Sequence, residues 1–211
     1  MTTGSKERPT VLLTGFGPFP NVPVNASAYL ARRIAREASS VLPQVRFVAE
    51  VLPTEWEKAP SLVAELHEQH RPALALHFGV AAGSQIIRLE SQAVNSCRNA
   101  ADAAGALPLR GNLSADGPAV RASSISIPEI AAALEAKGFS CSISDDAGGY
   151  LCNAVLYHSL AHAEAHGGKA GFVHIPRELS EEQFEEAAAA ALEVIKIAIE
   201  TAPGETTLTV A

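Results

Sequence analysis

A cysteine near a predicted helix start is the first residue in this sequence that could do chemistry. Cys152 lies in DDAGGYLCNAVLY, where two glycines allow a tight turn between a predicted strand and a helix. This places the thiol in the first turn of the helix, where unpaired backbone N–H groups and the helix dipole favour a thiolate. The same N–H groups could hold a developing oxyanion. Taken alone, the pattern fits a buried structural cysteine better, because free cysteines are among the most buried residues.

A histidine and a glutamate lie at two other predicted strand ends. His174 ends the apolar segment AGFVHIP, which Pro176 closes, and histidine is the usual base for a cysteine nucleophile. Glu90 lies in QIIRLESQAVN, on or just after a strand, and a carboxylate bonded to histidine fixes its tautomer. Taken singly, a core histidine and an exposed strand glutamate are the simpler interpretations. Because chemistry in parallel sheets lies at the carboxyl ends of strands, the shared location favours one common site.

Alternating strands and helices must position these residues. Short apolar runs predict the strands, and capping residues with helical periodicity predict the helices. The pattern predicts one α/β domain over residues 1–211, with a mostly parallel twisted sheet and helices on both faces. Its ends, 1–8 and 203–211, are expected to be loose, although the last could join a neighbour's sheet. The predicted strands are 10–16, 45–52, 73–79, 84–90, 140–145 and 170–175, and the predicted helices are 25–38 (capped by Asn25 or Ser27), 54–70 (capped by Thr54), 128–138, 150–166 and 180–201 (capped by Ser180 with Gln183).

A long segment from about residue 95 to 128 lacks such a pattern. It is rich in Gly, Pro, Ala and Ser, which predicts a loop. Loops of this length inside a compact domain usually serve function or assembly.

The composition excludes several classes of partner. The 211 residues carry 16 basic and 23 acidic side chains without a basic cluster, so neither nucleic acid nor an anionic membrane surface is an expected partner. No run of about 18 apolar residues predicts a membrane span, and the polar start lacks the apolar region of a signal peptide. Three cysteines without C-x-x-C spacing suit free thiols in a reducing compartment. We therefore expect a cytoplasmic protein.

Two other motifs suggest different chemistry. GFGPFP at 15–20 is superficially like a dinucleotide-binding loop, but it ends in proline and the helix starts several residues later. His158, His162 and His166 share one helix face, which makes a metal site conceivable. Since no H-E-x-x-H motif occurs, a polar helix surface is the favoured interpretation.

The order and spacing of eight short motifs resemble those of the pyroglutamyl-peptidase family. Members of that family are cysteine peptidases that remove an N-terminal pyroglutamate. The motifs extend from about Thr14 to Pro176 and so cover most of the chain. They are TGFGPFP at 14–20, NAS at 25–27, LPT at 52–54, FGVAAG at 78–83, LESQAVN at 89–95, ADGP at 115–118, AGGYLCN at 147–153 and GFVHIP at 171–176.

The resemblance implies a fold, a mechanism and roles for three residues. The implied fold is an α/β/α sandwich of the phosphorylase/hydrolase-like kind. Cys152 is implied as the nucleophile, His174 as the general base and acid, and Glu90 as the orienting carboxylate. The implied reaction passes through a thioester and needs no metal or cofactor. Small peptides with an N-terminal pyroglutamate are the implied substrates, and a homo-oligomer, a dimer or tetramer, is the implied assembly.

The resemblance also implies a substrate pocket. Phe16 and Phe19 match the phenylalanines of the family's ring pocket, and Thr54, Tyr150 and Leu151 are implied as further substrate-binding residues. The assignment is physically sensible, because aromatic walls can enclose a small, flat, neutral lactam ring. A charged N-terminal amine would be costly to desolvate in the same place.

Four positions depart from the family pattern. Ser91 replaces a basic residue after the orienting glutamate, Arg88 replaces Ser or Thr, Val80 replaces Gln, and Asp146 replaces a small residue. Strand alternation places residues 88 and 90 on one face, so we expect Arg88 to approach Glu90. Asp146 is expected either to cap the helix or to oppose thiolate formation. The departures leave an alternative open: a non-catalytic or altered-specificity protein of this fold that binds capped N-termini or another lactam.

Overall fold

The computed structural model describes residues 8–20 and 22–200, over which strands and helices alternate along most of the chain. The expected loose ends, 1–8 and 203–211, therefore lie outside the described residues, apart from Arg8. The strands are β1 Thr10–Phe16, β2 Arg46–Leu52, β3 Leu74–Ala81, β4 Ile87–Glu90, β5 Gln92–Val94, β6 Val120–Ala122, β7 Cys141–Ser144 and β8 Lys169–Pro176, and the helices are α1 Ala26–Val41, α2 Lys58–His70, α3 Ile127–Ala136, α4 Leu151–His166 and α5 Glu181–Glu200.

The main sheet is mostly parallel, as the sequence predicts. Its six strands follow the order β2-β1-β3-β8-β4-β7, and the first four of these run parallel to one another. Strands β4 and β7 are parallel to each other, but β4 pairs antiparallel with β8. The expectation that Glu90 and His174 end strands at the same edge is therefore wrong. Instead, the antiparallel register sets Arg88 opposite His174 and Glu90 opposite Phe172, which brings the pair together within the sheet.

Each face of the sheet carries its own hydrophobic core. Helices α1, α3 and α5 cover one face, where Leu13, Leu76 and Val194 are almost fully buried. Helices α2 and α4 cover the other face and pack on Leu12 and Ala75, among others. Strand alternation sends odd and even residues to opposite faces. The side chains of positions 88, 90, 172 and 174 thus share the face that α4 covers.

The segment between β5 and β6 has more structure than the predicted loop. Strands β5 and β6 bracket it as a two-stranded antiparallel sheet, with Gln92 paired to Ala122. Within it, Asp102 is buried and its carboxylate accepts backbone N–H groups of Trp56, Ala104 and Ala106. These bonds lower the pKa of Asp102 although burial acts in the opposite direction. The segment is thereby bonded to the turn that precedes α2.

The helix caps agree with the sequence at two of three sites. Asn25 caps α1 and accepts the N–H of Ser27 at 3.2 Å. Ser180 and Gln183 form the predicted capping box at α5. The predicted cap of α2 is wrong, since that helix begins only at Lys58 and the Thr54 hydroxyl donates to the carbonyl of Gly17. No helix among the described residues is long and apolar enough to cross a bilayer.

Candidate active site

Cys152 lies in the first turn of α4, where the sequence predicts it. The turn before the helix uses Gly148 at a φ of +80°, a conformation that favours glycine. Tyr150 is the N-cap residue and provides no side-chain cap, so the helix start keeps free N–H groups next to the thiol. On the facing strand, a side chain at Gly79 would come within 3.0 Å of the Cys152 sulfur and 2.8 Å of the Phe172 ring. Gly79 thus allows the thiol to pack on β3, a role that its motif FGVAAG did not indicate.

His174 and Glu90 form a buried pair beside the thiol. Nδ1 of His174 lies 2.7 Å from Oε1 of Glu90, and the two residues are 6% and 0% exposed. Burial alone would lower the pKa of His174. The charge and hydrogen bond of Cys152 and those of Glu90 outweigh burial and raise this pKa to about 9. The imidazole of His174 is thereby held between the Cys152 sulfur and the Glu90 carboxylate, an arrangement that cysteine nucleophiles and their bases share.

Arg88 approaches Glu90, as strand alternation predicts. Its guanidinium lies 3.5 Å from Oε1 of Glu90 and donates to the Ser144 hydroxyl at 2.6 Å and to the Asp146 carbonyl at 2.9 Å. Ser91, which stands where the family has a basic residue, donates its hydroxyl to the Ser144 carbonyl at 2.9 Å. Both side chains therefore connect β4 to the turn that precedes Cys152.

Asp146 belongs to that turn and does not cap α4. Its carboxylate accepts the N–H of Gly148 at 2.8 Å, and its side chain is exposed. The bond stabilises the glycine turn, because an Asp side chain that bonds two residues ahead mimics a backbone turn. The expected helix cap is therefore wrong, and Asp146 instead stabilises the glycine turn that leads into α4.

A cavity of about 400 Å³ opens in front of the thiol. Its size suits a small ligand with part of a peptide chain. Glu90 lies behind His174 and not on its wall. Three arginines, Arg88, Arg98 and Arg177, also line the cavity. No sequence motif indicated a pocket role for Arg98 or Arg177. The other predicted site residues all border this cavity: Phe16, Phe19, Thr54, Tyr150, Leu151, Cys152 and His174.

Comparisons with known proteins agree with the geometry. The sequence model described as pyroglutamyl peptidase matches residues 9–206. The chain belongs to the pyroglutamyl peptidase family. It is 37% identical over 172 residues to a pyrrolidone-carboxylate peptidase of Cupriavidus taiwanensis, covering 80% of this chain and 78% of that protein. It is 35% identical over 167 residues to a pyrrolidone-carboxylate peptidase of Vibrio vulnificus, covering 79% of this chain and 77% of that protein.

Solved structures with this fold carry related names. Pyroglutamyl peptidase I of Bacillus amyloliquefaciens superposes with a TM-score of 0.82 at 25% identity, covering 93% of this chain and all of that one. A mutant pyrrolidone carboxyl peptidase of Pyrococcus furiosus gives a TM-score of 0.80 at 28% identity, covering 90% and 98%. The expected family, the α/β fold and the class of cysteine peptidase are confirmed. All these proteins are named as peptidases, which gives no support to the alternative of a non-catalytic binding protein.

In this member of the pyroglutamyl peptidase family, Asn153, the residue after Cys152, has a structural role that its motif did not reveal. It is 1% exposed, and its amide pairs with both backbone groups of Val94 at 2.8 Å and with the Ser96 carbonyl at 3.0 Å. The side chain thereby fixes the start of α4 against β5. Its place in the motif LCN was the only signal in the sequence.

The three helix histidines do not form a metal site. No group of three or more His, Cys, Asp or Glu among residues 8–20 and 22–200 is arranged to hold a metal ion. The favoured interpretation of a polar surface also needs correction, because His158, His162 and His166 are half-buried. Nε2 of His166 lies 3.0 Å from Nδ1 of His67 on α2, whose ring stacks on His162 at 5.6 Å.

Proposed function

We propose that the protein is a cysteine peptidase that removes an N-terminal pyroglutamate from small peptides. One observation carries the proposal. A cysteine at a helix start, a histidine bonded to a buried glutamate and two phenylalanines border the same cavity. Membership of the pyroglutamyl peptidase family supports it further.

The first half of the proposed reaction is acylation. The thiolate of Cys152 attacks the pyroglutamyl carbonyl carbon, forming the C–S bond while charge moves to the oxygen. Free N–H groups at the start of α4 stabilise that oxyanion. The His174 imidazolium then gives its proton to the leaving nitrogen as the C–N bond breaks. A shortened peptide leaves with a free amine, and a thioester on Cys152 remains.

The second half is hydrolysis of the thioester. His174 is now neutral and accepts a proton from water as the water oxygen attacks the thioester carbonyl. Collapse of the intermediate breaks the C–S bond, releases pyroglutamate and restores the thiolate–imidazolium pair. Glu90 keeps Nδ1 of His174 occupied in both halves, so that Nε2 serves the reaction.

The pocket supports selection of a neutral ring. Phe16 is 3% exposed and packs near Phe172, with ring centroids 6.4 Å apart, while Phe19 is held by backbone bonds to Val22 at 3.2 and 2.8 Å. Thr54 secures the same loop through its bond to the Gly17 carbonyl. A flat lactam fits against such walls. An ordinary charged N-terminus would lose its hydration against these aromatic walls.

The enzyme is further proposed to need no cofactor, to be cytoplasmic and to form a homo-oligomer. Every reacting group is a side chain or backbone group of this chain, so no step requires a metal or cofactor. A thiol nucleophile and two further free cysteines suit a reducing compartment, which supports a cytoplasmic location. Leu107 and Leu109, 53% and 84% exposed, offer an apolar contact for a homo-oligomer, a dimer or tetramer.

Turnover of a pyroglutamyl-coumarin amide tests the function. Wild type should release coumarin, whereas Cys152→Ala should release none above background. A chelator should leave the rate unchanged, and alkylation of the thiol should abolish it. Absence of turnover by the reduced wild type at every pH from about 5 to about 10 would refute the proposal.

A further inference from the structure

A second depression lies beside the catalytic cavity. This groove, of about 810 Å³, runs between residues 24–29 and residues 177–184. Val24 and Tyr29 form one wall, where they are 67% and 59% exposed, and Leu179 and Phe184 contribute to the other. Its lining is mostly apolar and open to solvent, which is the usual character of a surface that binds another molecule.

The groove and the catalytic cavity adjoin each other at a shared lining residue. Arg177, which directly follows β8, lines both depressions. On the other wall, Asn25 lines the cavity while the next residue, Ala26, lines the groove. The loop that presents Phe19 to the cavity therefore presents Val24 to the groove. The two depressions therefore meet at Arg177 on one wall and at Asn25 and Ala26 on the other.

We propose that the groove binds the part of a peptide substrate that follows the scissile bond, and that it prefers an apolar or aromatic side chain there. The inference rests on the proposed function and names the substrates of that site as peptides longer than a pyroglutamyl dipeptide. With the lactam ring between Phe16 and Phe19, the rest of an extended peptide continues outward at about 3.3 Å per residue. The guanidinium of Arg177 is placed to donate to a peptide carbonyl or carboxylate on the way.

The wall formed by α5 is ordered before any peptide binds. The guanidinium of Arg33 lies over the Phe184 ring at 5.7 Å and is itself bound by Glu37 at 2.7 Å and by Glu185. The Arg177 guanidinium lies 3.7 Å from a carboxylate oxygen of Glu178, whose side chain is 90% exposed. A preordered apolar wall loses little side-chain freedom on binding, which favours specific recognition.

Peptide affinity tests the groove without requiring turnover. The ligands are pyroglutamyl-Ala-Ala-Ala amide and three relatives in which Phe replaces each Ala in turn, each titrated into the Cys152→Ala protein by calorimetry. One Phe position should bind about tenfold more tightly than Ala, because most of an aromatic side chain is buried there. Adding Tyr29→Ser or Val24→Ser should remove that gain. Val41→Ser, on the same helix as Tyr29 and 52% exposed outside the groove, is the matched control and should keep it.

Three results would overturn the inference. One is a Phe effect below about twofold at every position. Another is a gain that survives both Tyr29→Ser and Val24→Ser. The third is a loss of homo-oligomer in Tyr29→Ser, seen by sedimentation, with the peptide preference unchanged, because a second copy would then occupy the groove. Pyroglutamyl-coumarin has no residue beyond the scissile bond, so its turnover by wild type reports on the proposed function alone.

Discussion

The buried carboxylate of Glu90 is shared by two basic side chains. Its Oε1 atom faces both His174 at 2.7 Å and Arg88 at 3.5 Å, while Oε2 has no hydrogen-bond partner within the described part of the chain. A fully buried charge without such partners would cost several kcal/mol. Arg88 also bonds Ser144 and the Asp146 carbonyl, so one guanidinium joins the Glu90 carboxylate to the turn before Cys152.

Replacing Arg88 should therefore change catalysis and its pH dependence together. Arg88→Ala should lower kcat for pyroglutamyl-coumarin about tenfold, the effect of losing one charge-assisted hydrogen bond at the site. With its second cation gone, Glu90 would attract the His174 proton more strongly, and the alkaline limb should move to higher pH. Arg88→Lys should recover part of the rate, and Arg36→Ala on the exposed face of α1 should change neither quantity. Unchanged activity and pH profile in Arg88→Ala would remove Arg88 from this role.

The pH profile should end at the titration of His174. In the proposed mechanism the His174 imidazolium protonates the leaving group, and its pKa of about 9 means that this form is lost above that pH. A plot of kcat/KM against pH should accordingly fall with an apparent pKa near this value. Because the carboxylate of Glu90 helps to raise the pKa, Glu90→Gln should move the alkaline limb to lower pH. Glu135→Gln, on the exposed side of α3, is the control. An alkaline limb at the same pH in wild type, Glu90→Gln and Glu135→Gln would contradict the assignment of this limb to His174.

The elements that carry Cys152 and His174 were predictable because local signals define them. A strand, two glycines and a helix place the thiol, and a buried apolar strand ended by proline places the imidazole. The direction of β4 was not predictable, since antiparallel pairing with β8 depends on a distant partner and leaves no periodicity in the sequence. Strands β5 and β6, with three residues each, are too short for a pattern. Thr54 looked like a helix cap because its hydroxyl can bond locally, but a carbonyl from the β1 loop binds it instead.

Strand β5 and helix α4 should lose their fixed relation when Asn153 is replaced. Asn153→Leu leaves the N–H of Val94 and two carbonyls without their partner, and each buried unsatisfied group costs about 1–3 kcal/mol. We expect the free energy of unfolding in urea to fall by about 3 kcal/mol, with a lower kcat because the nucleophile is the adjacent residue. Asn153→Asp keeps an acceptor for the Val94 N–H but turns a carboxylate oxygen towards the carbonyls of Val94 and Ser96, so it should lose stability as well. Equal stability of Asn153→Leu and wild type would show that the amide bonds do not hold α4.

A chain of hydrogen bonds crosses the core behind the active site. Thr14 lies 2.7 Å from Nδ1 of His77, whose Nε2 lies 2.7 Å from the Ser159 hydroxyl. That hydroxyl lies 2.8 Å from Nε2 of His67, whose Nδ1 lies 3.0 Å from His166. If His67 and His77 are both neutral, each ring donates from one nitrogen and accepts at the other, so every contact in the chain can have one donor and one acceptor. The chain thereby joins β1, β3, α2 and α4, and it makes the whole fold sensitive to acid.

Acid should destabilise the folded protein well before its carboxylates titrate. Burial, together with the charges of neighbouring histidines, lowers the pKa of both His67 and His77 from 6.5 to about 3. Between these values the unfolded chain binds more protons, so stability is complete above pH 6.5 and falls as the pH drops towards 3. Each histidine should contribute a slope of about 1.4 kcal/mol per pH unit in urea unfolding between about pH 6 and about pH 4.5. His174, whose pKa is raised, is protonated in both states over most of this range and adds little slope.

His77→Gln cannot be protonated and should remove about half of the slope of the pair, whereas His70→Gln, at the less buried end of α2, should remove less. A slope in His77→Gln equal to that of wild type would show that this buried chain does not set the acid stability.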